Sequence, residues 1–267
     1  MSTDWLDRQA VAACLRVPRD NWRVLAEVDS TNTACRRLAA EGAPDGTVVI
    51  ADGQTAGRGR LGRSFSSPRG MGLYLSILWR PDCGPETLLP LTALSAVAVC
   101  RALERTGVVS PAIKWPNDLV LGERKLGGIL TELSLEGESV DYVIVGVGLN
   151  CRQRAEDFPP ELADVAISLD MAGARSVKRA ALAAALIEEL DILRTVALND
   201  PGRWLADYRA RCLTVGRRVR VIRDGGSLEA EAVAVDERYG LAVRLEDGTE
   251  QVLRAGEVSV RGLYGYV

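Results

Sequence analysis

Residues 47–63 read TVVIADGQTAGRGRLGR. The run Thr47–Ala51 is apolar or β-branched throughout, which predicts a short buried strand. It passes into a loop where Arg58, Arg60 and Arg63 alternate with Gly57, Gly59 and Gly62. Glycines let backbone approach a ligand closely, and guanidinium groups present fixed forks of donors to carboxylates and phosphates. The stretch therefore predicts an anion-binding loop at the end of a sheet strand. Its spacing is neither the G-x-x-x-x-G-K-S/T phosphate loop nor the dinucleotide fingerprint. Taken alone, the same residues also read as a mobile basic loop or an RG-type nucleic-acid contact.

Upstream, alternation predicts a strand over 22–28, after a short helix over 4–16. Ser30, Thr31 and Asn32 offer caps for a helix to about Glu41, stopped by Gly42 and Pro44. Downstream, a strand is expected at 72–79, a helix at 86–106 and strands at 112–115 and 119–121. A hairpin of 128–135 with 140–147 follows, then a polar loop over 151–166 and helices at 176–197 and 201–212. From Val215 the pattern changes to short alternating segments (RRVRVIR, SLEAEAVAV, LAVRLE, EQVLRA, EVSVRG) separated by glycine-containing turns. That spacing indicates a small β-barrel. The expected architecture is an α/β (α+β) mixed-sheet domain over residues 1–212 and a small SH3-like β-barrel over 213–267.

The 267 residues include 33 lysines and arginines against 36 aspartates and glutamates, a net charge of −3, which argues against general nucleic-acid coating. There is no histidine. Histidine metal sites, Ser-His-Asp triads and Cys-His dyads are thereby excluded. The six cysteines form no C-x-x-C pair and read as scattered apolar residues of a reducing compartment. No sustained apolar leader is evident and no run approaches the ~18 apolar residues of a membrane span. The expected location is the cytoplasm.

Three further segments place polar or permissive residues at strand ends: K-W-P-N-D at 114–118, K-L-G-G-I at 125–129 and G-V-G-L-N at 146–150. Singly, Lys125 reads as a solvated turn lysine and Asn117-Asp118 as a turn. Four such segments in one chain predict a site.

Together with S-T-N-T at 30–33, these motifs resemble the biotin protein ligases in order and spacing, over about residues 22–265. The resemblance implies a two-step reaction, in which biotin and Mg-ATP give biotinyl-5′-AMP and pyrophosphate. The biotinyl group then passes to a lysine of a biotin carboxyl carrier protein. Biotin's carboxylate is already a nucleophile at pH 7, so the chemistry asks for converging cations rather than a histidine base. Carried over by position, Ser30, Thr31, Asn32 and Gln54 resemble the pocket for the ureido ring. Arg58, Gly59 and Arg60 resemble the loop over biotin and its carboxylate, with Arg58 also facing the nucleotide. Arg63 resembles a phosphate-facing arginine, and Lys125 the lysine beside the carboxylate and α-phosphate. Arg60, Lys125 and Asp118 are then the catalytic set, with Asp118 associated with Mg2+. Trp115, Asn117 and Asn150 fall on the nucleotide side, although Trp115 reads equally as a core tryptophan.

Two positions depart from the family pattern. Gly127 stands where many relatives carry alanine, which would soften the strand start, and Phe65 stands where tryptophan is frequent, which would thin the cover over biotin. A lipoate or octanoate ligase or transferase on a related fold is a poorer match, because its usual segment carries a histidine. A biotin-responsive DNA-binding repressor would need a helix-turn-helix, and only 29 residues precede Ser30. The resemblance thus implies no sequence-specific DNA partner, no membrane partner, and a monomer or weak homodimer.

Overall fold

The computed structural model describes Asp4, residues 6–108, 111–223, 226–254 and 259–262, and Tyr266. In chain order the elements are α1 (Arg8–Ala12), β1 (Trp22–Leu25), α2 (Thr31–Ala40), β2 (Thr47–Ala51), β3 (Gly72–Trp79), α3 (Leu91–Arg105), β4 (Ala112–Lys114), β5 (Asp118–Leu121), β6 (Arg124–Glu136), β7 (Ser139–Asn150), α4 (Arg179–Asn199) and α5 (Leu205–Arg211). Strands β8 (Arg218–Arg223), β9 (Gly226–Val235), β10 (Leu241–Leu245), β11 (Glu250–Leu253) and β12 (Ser259–Gly262) follow.

β1 to β7 form one sheet in the order β1-β2-β3-β7-β6-β5-β4. Only β1 and β2 run parallel, so the sheet is mixed. The later strands make a separate antiparallel sheet, β11-β10-β9-β8-β12, the small SH3-like module. Helix α2 covers one face of the first sheet through Cys35, Leu38 and Ala39 against Val49, Leu78 and Ile144. Helices α3 and α4 cover the other, packing on Leu73, Leu75, Ile77, Val145, Val147 and Leu149. This alternation along β3 and β7 is what period-two strand geometry requires.

Pro85–Arg105 has the length and composition of a membrane span, with a hydropathy of 1.4, although its apolar residues are interrupted. Here it is mostly buried inside the fold, because α3 packs against both the sheet and α4. Several expected boundaries also move. The first helix contracts from 4–16 to five residues, and β1 stops at Leu25, leaving only a bridge between Val28 and Gln54. The helices expected at 86–106 and 201–212 each begin as a 3₁₀ turn, at Pro85–Leu88 and Pro201–Trp204, where a proline opens the segment. The hairpin is longer than its apolar runs, so K-L-G-G-I lies inside β6.

Gly127 lies close against β7. A Cβ there would sit 2.2 Å from the Gly148 carbonyl oxygen and 2.7 Å from Leu149 Cδ2. A side chain at this point would need the β6–β7 pairing to shift. The six cysteines are free thiols, and burial pushes Cys35, Cys100 and Cys151 up to about 12. These three and Cys212 behave as small core residues, whereas Cys14 is exposed and Cys83 half-buried.

The two sheets share one continuous core. Trp115, joined to Pro116 by a cis peptide, donates its indole N–H to the Tyr239 carbonyl at 2.9 Å and its backbone N–H to Thr214 Oγ1 at 2.9 Å. This tryptophan therefore pins the small sheet beside the end of β4.

Candidate active site

The floor of the site is cut into the α2 face of the first sheet. Register places Ser76 of β3 beside Gly146 of β7, and Gly146 beside Leu130 of β6. One step along, Tyr74, Gly148 and Gly128 share a row. The alternating glycines of G-V-G-L-N thus leave a trough where side chains would otherwise stand. The first turn of α2 descends into it. A Cβ on Gly146 would lie 1.9 Å from Asn32 Oδ1, and one on Gly148 would lie 2.7 Å from the Phe65 ring.

A polar cradle closes one end. Gln54 Oε1 accepts from the Thr31 backbone N–H at 2.8 Å, and its Nε2 donates to Ser67 Oγ at 2.8 Å. Ser76 Oγ lies 2.7 Å from Thr31 Oγ1 and 2.6 Å from Asn32 Oδ1. Asn32 Nδ2 donates to the Leu130 carbonyl at 3.2 Å and to Glu132 Oε2 at 2.7 Å. Buried polar groups held in so many bonds keep one geometry, as recognition of a small polar ring demands.

Cations close the other end. The arginine loop is a small hairpin, with a 2.7 Å bond from the Gly59 N–H to the Arg63 carbonyl. Its base is clamped by Arg179, whose guanidinium donates to Asp52 Oδ1 at 2.7 Å and to the Gly72 carbonyl at 3.1 Å. Arg58 and Arg60 turn to separate partners. Arg58 pairs with Glu132 at 2.8 Å, and Arg60 donates to Asn117 Oδ1 at 3.0 Å. Burial lowers Arg60 from the usual guanidinium range, with Asp118 opposing the shift and Arg63 adding to it. Lys125 Nζ donates to Asp118 Oδ1 at 2.8 Å, the Tyr266 hydroxyl donates to Asp118 Oδ2, and Lys114 Nζ donates to the Tyr266 carbonyl. Burial alone would raise the Asp118 carboxyl. Lys125, the Tyr266 hydroxyl and Lys114 outweigh burial and hold it below the usual carboxylate range.

All the residues expected from the sequence line one cavity of about 830 Å³: Ser30, Thr31, Asn32, Gln54, Arg58, Gly59, Arg60, Arg63, Trp115, Asn117, Asp118, Lys125 and Asn150. That volume suits a small-molecule site. Three of them also have structural partners. Trp115 supplies only wall, since its indole N–H is turned to Tyr239. Asn150 donates to the Ile167 carbonyl and accepts from Gln153, so it ties down the 151–168 segment, with one N–H and one lone pair left over for a nucleotide. Asp118 has a donor on each carboxylate oxygen, and no group of three or more Cys, Asp or Glu side chains is placed to hold a metal among the described residues. As placed, Asp118 orients Lys125.

The sequence reading missed Ser76, Glu132 and Tyr266. Ser76 had a signal, being the polar residue inside GLYLSILW. Glu132 had a weak one, a carboxylate two residues from Leu130 on the same strand face, while Tyr266 had none. The segment expected as a loop over 151–166 forms the far wall. It pairs its backbone with Lys125 through bonds from the Lys125 N–H to the Val165 carbonyl and from the Ile167 N–H to the Lys125 carbonyl. Phe65 stacks edge-on to Tyr74 at 6.4 Å and covers the glycine row, so the cover is a phenyl ring seated on the floor.

Residues 24–150 match the biotin/lipoate A/B protein ligase family, and residues 214–261 match the biotin protein ligase C terminal domain. A biotin–acetyl-CoA-carboxylase ligase of Mycobacterium tuberculosis is 35% identical over 262 residues, covering 95% of each chain. A bifunctional ligase/repressor BirA of Bacillus subtilis is 34% identical over 235 residues, covering 85% of this chain and 70% of that one. Among solved structures, the biotin protein ligase of Aquifex aeolicus in complex with biotin and ATP superposes with a TM-score of 0.77 at 31% identity, covering 91% of this chain and 100% of that one. The Leishmania major biotin protein ligase in complex with biotinyl-5-AMP gives 0.57 at 27% identity, over 89% of this chain and 100% of that one. A glycine-floored cavity with a neutral polar cradle at one end and cations at the other, in a fold shared with these ligases, places the chain in the biotin protein ligase family.

Proposed function

We propose that this ligase activates biotin with ATP as biotinyl-5′-AMP and transfers the biotinyl group to a lysine of a biotin carboxyl carrier protein. The observation that carries the reading is the polarity of this cavity. At one end, neutral donors and acceptors from Thr31, Asn32 and Gln54 match a urea, which both donates and accepts. At the other, Arg60, Arg63 and Lys125 gather around Asp118 and Tyr266, where a carboxylate must meet a triphosphate, while Arg58 stands nearer the cradle on Glu132. Biotin's carboxylate oxygen forms a bond to the α-phosphorus, and the bond to the bridging oxygen breaks, releasing pyrophosphate with the electron pair. The cations offset charge shifting onto the phosphoryl oxygens. Magnesium enters with ATP as part of that substrate. In the second step the carrier's amine attacks the acyl carbon and AMP departs.

Lipoate and octanoate lack a urea. Their apolar ends can make no hydrogen bond to the cradle and would cut its polar groups off from water, which is unfavourable in a buried site. The test is incubation with ATP, a purified carrier domain and radiolabelled biotin, lipoate or octanoate in parallel. Label on the carrier lysine from biotin alone is expected. No labelling from biotin overturns the reading, and preferential labelling from an alkyl acid replaces it.

Arg58 rests on Glu132, a carboxylate of the protein itself. A bound adenylate supplies competing anions, so hydrogen exchange over residues 53–70 is expected to slow when biotin and ATP are added together. Equal protection with and without ligands shows that the loop is already fixed.

A further inference from the structure

We propose that Tyr266 is a positioning residue of the adenylation centre: its hydroxyl fixes the Asp118 carboxylate, which in turn holds Lys125 beside the reacting groups. The inference deepens the adenylation reading above and rests on it. Asp118 opens β5 and faces Gly128 of β6 in the sheet register. A Cβ on Gly128 would lie 3.2 Å from Asp118 Oδ1 and 3.6 Å from Lys125 Nζ, so the ion pair stands directly over the glycine floor. Lysine carries a flexible four-carbon stem, and its ammonium gains a defined position only from a fixed partner. A carboxylate held at one oxygen still turns about its terminal torsion, where preferences are broad. The Tyr266 hydroxyl on Oδ2 removes that freedom and leaves Oδ1 directed at Lys125.

Tyr266 is itself held by a buried cation. Lys114 Nζ donates to the Tyr266 carbonyl and stands 3.9 Å from the centre of its ring. Lys114 is only 6% exposed and sits at the end of β4. The K-W-P-N-D segment therefore acts at three points: Lys114 seats Tyr266, Trp115 pins the small sheet, and Asp118 receives the tyrosine hydroxyl. Val260 and Gly262 of β12 line the same cavity, so the C-terminal module contributes directly to the wall around the reacting groups. The phenol is kept in its donor form, because burial and the adjacent Asp118 carboxylate push Tyr266 above its ordinary range.

The test is Tyr266→Phe, which keeps the ring and its contact with Lys114 and removes only the hydroxyl. In biotin-dependent pyrophosphate release, kcat is expected to fall roughly 10-fold, as for loss of one hydrogen bond to a charged group, with the KM for biotin unchanged. The groups acting on Asp118 are Lys125 from β6, Lys114 from β4, Arg60 from the loop, and Tyr266. Removing the hydroxyl weakens the charged form of Asp118, so the acid limb of the kcat profile moves to higher pH. The double variant Tyr266→Phe with Asp118→Asn is expected to be no slower than Asp118→Asn alone, since both act through one carboxylate.

A readout independent of turnover is the Asp118 carboxyl titration by carbon NMR, expected to move up in Tyr266→Phe. A wild-type protein that forms no adenylate overturns the functional reading and the positioning role with it, while an unmoved carboxyl titration refutes the Tyr266–Asp118 contact alone. Wild-type kcat and pH profile in Tyr266→Phe, or additive effects in the double variant, overturn the positioning role in an active enzyme.

Discussion

Lys125→Ala is expected to slow biotin-dependent pyrophosphate release by roughly 10²–10³ and to leave the protein folded. Lys125 projects from β6 onto Asp118, with its backbone fixed on both sides by bonds to Val165 and from Ile167. Its side chain remains 30% exposed, so the ion pair is partly screened and contributes little to folding. Removing the ammonium does not strand Asp118, which keeps the Tyr266 hydroxyl and lies in the field of Lys114. The loss therefore falls on the reaction, where a preorganised cation beside the bridging oxygen is worth ~3–4 kcal/mol in the transition state. Arg60→Ala is expected to slow the same step less and to release the adenylate faster, because the loop loses its tie to Asn117 as well as an anion contact. Pyrophosphate release measured beside a thermal melt decides both. Normal turnover in Lys125→Ala, or lost activity matched by lost folding, assigns the charge to another residue.

Gly146→Ala is expected to raise the biotin Kd by about 100-fold or more, for a reason that has nothing to do with charge. A methyl group at this position would fall 1.9 Å from Asn32 Oδ1. Asn32 has no slack to give, since its amide is tied to Leu130, Glu132 and Ser76. The side chain must leave the floor and break these bonds. Losing two cradle hydrogen bonds at ~1–1.5 kcal/mol each accounts for most of the affinity change. Folding is destabilised too, by the ~1–3 kcal/mol typical of overpacking, because β7 lies at the centre of the sheet. Calorimetric titration with biotin, alongside a urea melt, separates the two effects. Wild-type affinity in a folded Gly146→Ala protein would show that Asn32 does not define the ring pocket.

Much of this was legible before any coordinates. The 47–51 strand, the helix entered at Ser30, the arginine loop and the change of pattern after residue 213 all follow from spacing over a few residues. The expected site residues meet in one cavity because the motifs sit at strand ends on the same side of the sheet. Less accessible was the difference between lining and acting. Asn150 and Trp115 belong to the motifs, yet each also ties down a neighbouring segment, Asn150 through Ile167 and Gln153 and Trp115 through Tyr239. The close approach of β7 to Gly127 was hidden for a related reason: it comes from the neighbouring strand.

The sequence by itself determined which residues could be strand, helix or turn, and which carried charge suited to an anion, because those properties depend on neighbours a few positions away. The period of two along β3, β6 and β7 even states which residues share a face. It does not state which strands lie side by side. The order β3-β7-β6 was decided by packing, and with it the row that sets Ser76, Gly146 and Leu130 under Asn32. The same holds for the link of Glu132 to Arg58 and for Lys114, Tyr266 and Asp118, the last of which joins residues more than a hundred positions apart. Such contacts are decided by how two sheets and their helices bury one common core, and no local pattern encodes them.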